Sequence, residues 1–202
     1  MEKNEYAEAI IDNCNYYEYM ALIQDSDIPK RYFSFKWGDY RFPSDTKGDV
    51  LRSRERAKKY CKDFTLKVEK EPKSIIIYGN YESKKTLLAT LIARTLIEMS
   101  NKSVKFISYS DFVQKTRRDD KADELKNNLI EYDVIIIDEI IDFRINPYAA
   151  NCLTSLIQDR KEMQKITIIT SDLDVTQIRD RLSNRLSDLV SRKDEFDSIT
   201  IL

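Results

Sequence analysis

The chain has 202 residues, with 34 Lys and Arg against 35 Asp and Glu, no His, 42% hydrophobic residues and a mean hydropathy of −0.54. That fits one ordinary soluble domain with a short extension, long enough to bury a core without metal or disulfide. Without histidine, histidine-based triads, two-histidine metal sites and imidazole proton shuttles are excluded, and a net charge of −1 excludes a diffuse basic field, so any nucleic-acid contact must come from local patches.

The N-terminal stretch MEKNEYAEAIIDNCNYY carries acids where an export signal needs a basic start. The longest apolar runs, such as Val134 to Ile137, are far below the ~20 residues of a membrane helix. A cytoplasmic protein with no membrane contact is expected. Cys14, Cys61 and Cys152 are isolated, without C-x-x-C spacing, and read as plain reduced thiols.

In chain order, Tyr6, Ala9, Ile10, Asn13, Tyr17, Met20 and Ile23 predict a helix over 3–24, ended by the turn Asp25-Ser26-Asp27-Ile28-Pro29. Residues 31–49 form an aromatic, irregular connector, and 50–64 a basic helix closed off before Pro72. Then strands alternate with helices. Strands are predicted at 74–78, 104–108, 134–137, 165–170 and 198–202, and helices at 86–99, 111–118, 122–131, 147–162 and 175–189. Runs such as SIIIY, DVIII and ITIIT read as buried central strands. The pattern predicts an α/β fold, a parallel sheet covered by helices on both faces.

The turn after the first strand reads Gly79-Asn80-Tyr81-Glu82-Ser83-Lys84-Lys85-Thr86. A phosphate-binding P-loop is G-x-x-x-x-G-K-[ST] between strand and helix, because backbone N–H groups and a helix N-terminus cradle phosphates while Lys and Ser/Thr meet phosphate and Mg²⁺. Only the second glycine is missing, replaced by Lys84. Alone, this match competes with an ordinary strand-to-helix turn. Downstream, the strand Val134–Ile137 runs into Asp138 and Glu139, where an acid can hold Mg²⁺ and a second can orient an attacking water. The bland alternative is a solvated acidic turn. Another strand ends in Ser171-Asp172 and would face the same crevice. Beyond it, Arg181 and Arg185 are spaced for one helical face, either to stabilise charge on a transferred phosphoryl group or to pair with Asp180 and Asp188 on the surface.

Together, SIIIYGNYESKKTLLATLIARTLI, KFISYSDFVQKTRR, YDVIIIDEI, KITIITSDLD and RDRLSNRL resemble, in order and spacing, the bacterial replicative-helicase loaders of the DnaC/DnaI type. These are AAA+ P-loop ATPases that also include the transposition helper IstB. The resemblance covers about residues 28–190 and implies a core over 28–202 behind an N-terminal helical extension, 1–27. It implies ATP or ADP with Mg²⁺ as cofactors: Gly79 to Thr86 hold the nucleotide, Lys85 and Thr86 match the phosphate and magnesium residues, Asp138 the magnesium-site acid and Glu139 the catalytic glutamate. Asp172 stands where the family usually has a γ-phosphate-sensing asparagine. Arg185 matches the arginine finger acting in trans, with Arg181 second, which implies self-association. Lys115, Arg117 and Arg118 fall where such ATPases contact single-stranded DNA, or form an ordinary solvated face.

The departures are Lys84, Asp172 and the absence of a late arginine that many AAA+ proteins use as a second sensor. If the loop keeps its usual path, the side chain of Lys84 points outward or adds a charge to the nucleotide; if it does not, nucleotide affinity falls. An ionised Asp172 accepts but cannot donate a hydrogen bond. Nucleotide binding with impaired or slow hydrolysis is therefore expected. The resemblance implies a loader that places a hexameric replicative helicase on single-stranded DNA. The alternatives are a catalytically inactive module that holds or inhibits a helicase or loader, or a transposition helper. Tyr16, Tyr17, Tyr19 and Met20 either grip the helicase or pack on the core. A compact, divergent loader of this kind is what a phage or mobile element would encode.

Overall fold

Five β-branched segments form the strands of one parallel sheet: β1 (Ser74–Gly79), β2 (Val104–Ser108), β3 (Val134–Ile140), β4 (Ile166–Ser171) and β5 (Phe196–Ile201). Their order is β2-β3-β4-β1-β5, all pairs parallel. A computed structural model describes residues 16–43, 46–68, 70–117, 119–141 and 146–202. The helices are α1 (Tyr16–Asp25), α2 (Gly48–Lys67), α3 (Lys85–Ser100), α4 (Tyr109–Lys115), α5 (Asp119–Glu131), α6 (Pro147–Glu162), α7 (Val175–Arg181) and α8 (Asn184–Val190).

Alternate strand residues face opposite layers, as the two-residue period of a strand requires. Ile75, Ile77, Val134, Ile136 and Ile168 pack with α1, α2 and α3. Ile76, Ile135, Ile137 and Ile169 pack with α4 to α8. Both faces of the central strands are thus dry, which is why they read as unbroken apolar runs. The connector between α1 and α2 lays Tyr32, Phe33, Phe35, Trp37 and Phe42 against the first of these layers. There Arg94 of α3 donates to the carbonyls of Tyr32 and Phe35. Cys61 is buried in the same layer, and burial pushes its thiol up to about 12, which leaves it unreactive. No helix among the described residues is long and apolar enough to cross a membrane.

Two segments differ from expectation. The helix predicted over 175–189 is two helices: Ser183 interrupts it and accepts a hydrogen bond from the Leu186 N–H, capping α8. Arg181 and Arg185 therefore stand on different helices and not on one helical face. The helix predicted over 111–118 starts at Tyr109 under a Ser108 cap and stops at Lys115, where the Thr116 hydroxyl donates back to the Phe112 carbonyl; Arg117 lies past its end. Of the helix predicted over 3–24, the part before residue 16 lies outside the described residues, as do Cys14 and Arg118.

At the amino end of the sheet Arg160 is fully buried and donates five hydrogen bonds: to the carbonyls of Leu129, Tyr132, Asp133 and Ile166 and to the Thr167 hydroxyl. It ties the end of α5 to the starts of β3 and β4. Arg160→Met keeps the apolar stem and removes a donor from each of four carbonyls, of which that of Asp133 still accepts from the Ile166 N–H, so it should lower unfolding free energy by about 3 kcal/mol in urea titration; a loss under about 1 kcal/mol would contradict this role.

Candidate functional site at the carboxyl ends of β1, β3 and β4

From the central strand β1 the chain crosses to the edge strand β2, so the turn after β1 opens beside the ends of β4 and β3. Such a switch point leaves a crevice for a ligand. The first requirement there is the absence of a side chain at Gly79. A Cβ would lie 2.7 Å from the Ile201 carbonyl oxygen and 2.7 Å from Ser83 Oγ. The loop then turns through Glu82 at φ 64 and Lys84 at φ 62, both left-handed. A non-glycine residue in that conformation costs roughly 1 kcal/mol.

Lys84 keeps the backbone path that a glycine would adopt easily and turns its side chain away. Its Nζ donates to the Arg41 carbonyl at 2.5 Å and lies 4.8 Å from the centre of the Phe42 ring. Of the two orientations open in the sequence, the outward one is observed. Tyr81, at the loop tip, is exposed.

Lys85 does the opposite. It is 7% exposed, and its Nζ donates to the Asn80 carbonyl at 2.8 Å and to Ser83 Oγ at 3.3 Å. It also forms an ion pair at 2.8 Å with Asp172. Asp172, just past β4, thus neutralises the loop lysine.

Thr86, in the first turn of α3, donates to Asp138 Oδ2 at 3.2 Å, and Thr170 of β4 donates to Asp138 Oδ1 at 2.7 Å. Burial pushes the Asp138 carboxyl above the usual range; the bonds from Thr170 and Thr86 oppose it, Glu139 adds to it, and Lys85 opposes it. Thr170 Oγ1 also accepts from the Glu139 N–H at 2.8 Å. Glu139 has φ 65, and the β3–β4 register shifts between Ile137 and Ile140. The bulge puts the Glu139 side chain outside the sheet, exposed, next to a buried Asp138. Thr170 was not singled out in the sequence, where it reads as one more β-branched strand residue.

The remaining candidates lie apart in their contacts. Arg185 donates to Gln158 Oε1 on α6 at 3.1 Å, while Asp188 pairs with Arg179 at 2.8 Å. Lys115 and Arg117 are exposed. Of the N-terminal aromatics, Tyr16 and Tyr17 are 68% and 79% exposed, whereas the Tyr19 hydroxyl bonds to Glu98 and Arg94 on α3.

The profile of a protein family described as the bacterial DnaA ATPase domain matches residues 51–192. The chain is 22% identical over 188 residues to the replicative helicase loader DnaC of Buchnera aphidicola subsp. Schizaphis graminum, covering 90% of this chain and 73% of that one. The fold is similar to the crystal structure of DnaI, with a TM-score of 0.70, 17% identity and coverage of 88% and 96%. It is similar also to AMPPCP-bound DnaA from Aquifex aeolicus, with a TM-score of 0.65, 16% identity and coverage of 86% and 51%.

The left-handed backbone at residue 84 carries a prediction of its own. Lys84→Ala loses the contacts to Arg41 and Phe42 and keeps the strain, whereas Lys84→Gly loses the contacts and releases it. The glycine variant should be the more stable of the two by about 1 kcal/mol in urea denaturation. An alanine variant at least as stable would show that residue 84 is not held left-handed.

Proposed function

The chain belongs to the family of the bacterial DnaA ATPase domain, and from that premise we propose that it is an ATP-binding helicase loader that delivers a hexameric replicative helicase to single-stranded DNA. The observation that carries the reading is the convergence of Lys85, Thr86, Asp138 and Asp172 at the open ends of β1, β3 and β4. The likeness to a replicative helicase loader supports the partner.

The residues present fit ATP and Mg²⁺. Gly79 leaves room for the loop, and the free N–H groups opening the 16-residue helix α3 offer donors to phosphate oxygens. Lys85 would meet the phosphates, Thr86 and Asp138 would hold Mg²⁺, and Glu139 would orient a water. When bound, Mg²⁺ supplies neutralisation of the charge on the phosphate oxygens. Arg185 would reach a neighbouring copy's nucleotide, with Arg181 second. Residues 28–202 form the core in this reading, and the extension 1–27, with Tyr16 and Tyr17, meets the helicase. Lys115, Arg117 and Arg118 would touch the DNA.

Asp172 sets the limit on this chemistry. Lys85 must leave Asp172 before it can serve a phosphate, and an ionised Asp172 repels that phosphate and cannot donate to it. Binding with slow hydrolysis follows. The same ion pair favours a second reading, a catalytically inactive module that holds or inhibits a helicase through protein contacts alone.

Titration with a fluorescent ATP analogue and Mg²⁺ separates the two. The loader reading expects micromolar binding by the wild type, at least roughly tenfold weaker binding by Lys85→Ala and several-fold tighter binding by Asp172→Asn. Absence of wild-type binding up to millimolar nucleotide would overturn the ATP-binding reading and leave the inactive module.

A further inference from the structure

Helix α2 carries seven Lys and Arg against three acids over residues 48–67, in a chain whose net charge is −1. Arg54, Lys58 and Lys62 recur at four-residue spacing and so stand in one row along the helix, beside its buried stripe of Ala57, Cys61 and Phe64. The aromatic connector runs against this row. The Arg54 guanidinium lies 4.5 Å from the centre of the Phe42 ring, and the Lys62 ammonium 5.7 Å from that of Trp37. Between them Lys58 Nζ donates to the Tyr40 carbonyl at 3.4 Å.

Lys84 also reaches the Phe42 ring, beside its bond to the Arg41 carbonyl. Cations from three segments of the chain therefore meet on one face. Burial lowers the Lys58 pKa, and the charges of Lys62 and Arg41 lower it further, against Asp39 and Glu55. Among the described residues, none of Arg41, Arg54, Lys58, Lys62 and Lys84 forms an ion pair with a carboxylate, whereas Lys105, Lys126 and Lys161 elsewhere all do. Asp39 and Glu55 lie near Lys58 without pairing with it, so the row keeps its charges free for an anion, whose binding would relieve their mutual repulsion.

We propose that this face binds the backbone of a single-stranded nucleic acid. Four residues of helix rise about 6 Å, so the row presents its charges at a spacing close to that of successive phosphates along an extended strand. Phe42 and Trp37 are packed against the core and hold these cations in place, so the face offers regularly spaced charge, which suits a repeating phosphate backbone better than the irregular charges of an acidic protein surface. The Lys115–Arg117 segment is the weaker electrostatic candidate, because Asp111, Asp119 and Asp120 flank it in sequence. The inference rests on the proposed loader reading, adds a DNA-contact surface to the Lys115–Arg118 segment named there, and does not require the nucleotide site to work.

The test is fluorescence anisotropy of a labelled oligothymidylate, without nucleotide, from about 50 to 200 mM salt. Wild type is compared with Arg54→Glu/Lys58→Glu/Lys62→Glu, with the milder Lys58→Gln/Lys62→Gln, and with Lys115→Glu/Arg117→Glu. The triple variant should bind at least tenfold more weakly, with a log affinity against log salt slope shallower by about 2, and the double glutamine variant with one shallower by about 1.4. Circular dichroism should match wild type in both, and ATP-analogue affinity in the double glutamine variant, which keeps Arg54 on the Phe42 ring. Wild-type affinity and slope in the glutamine and triple variants would overturn the proposal, and loss of binding in Lys115→Glu/Arg117→Glu alone would move the strand to that segment. No binding by the wild type, or α2-dependent binding of polyglutamate but not of oligothymidylate, would also overturn it, the latter assigning the face to an acidic protein. A failed ATP-analogue titration beside intact α2-dependent DNA binding would remove the ATP reading alone.

Discussion

Asp138 is a carboxylate held almost entirely out of water at the end of an apolar strand. A buried carboxylate is tolerated only where its oxygens find donors. Here each oxygen has one, Thr86 from the helix after β1 and Thr170 from β4. The three segments that build the crevice are thereby fixed to one another through a single side chain. The bulge in β3 belongs to the same constraint. Thr170 spends its proton on Asp138 and accepts the Glu139 N–H, so the strand must shift register just where its next acid has to leave the sheet.

The replacement of a glycine by Lys84 is tolerable for a related reason. A left-handed lysine is strained, and the strain is offset by contacts outside the loop, the Arg41 carbonyl and the Phe42 ring. The aromatic connector is thus coupled to the loop and not just laid over the sheet. That coupling reaches further, since Phe42 also faces Arg54 of α2, which bonds the Leu202 carbonyl just past β5. Loop, connector, basic helix and the strand beside β1 form one contiguous set of contacts.

Much of this was legible before the structure. The apolar runs marked the strands because both faces are covered, and the loop and acid motifs sit where strand ends put them. What stayed hidden depended on contacts across the chain or on a single cap. Ser183 looks like any polar residue inside a helix-forming stretch, yet its hydroxyl ends the run and separates Arg181 from Arg185. Thr170 and Arg160 look like a strand residue and a surface cation. Their roles appear only when Asp138, or the carbonyls of Leu129, Tyr132, Asp133 and Ile166, are brought beside them. The motif shows what kind of residue stands at 84 and 172, and only the fold shows what each one touches.

The charges of the crevice close on themselves. Lys85 is one buried cation among Asp138, Glu139 and Asp172, and its nearest carboxylate is Asp172 at 2.8 Å. What remains to attract an anion is then mainly the helix N-terminus, worth a fraction of a charge. The positive potential of Lys85 toward a phosphate is therefore set less by the lysine, which the loop motif demands, than by how readily Asp172 releases it. Asparagine at that position would free the lysine and supply a donor, whereas aspartate withholds both. In the proposed nucleotide-binding reading, one side chain just past β4 thus decides how much of the Lys85 charge is open to a phosphate, and it does so without altering any residue of the loop.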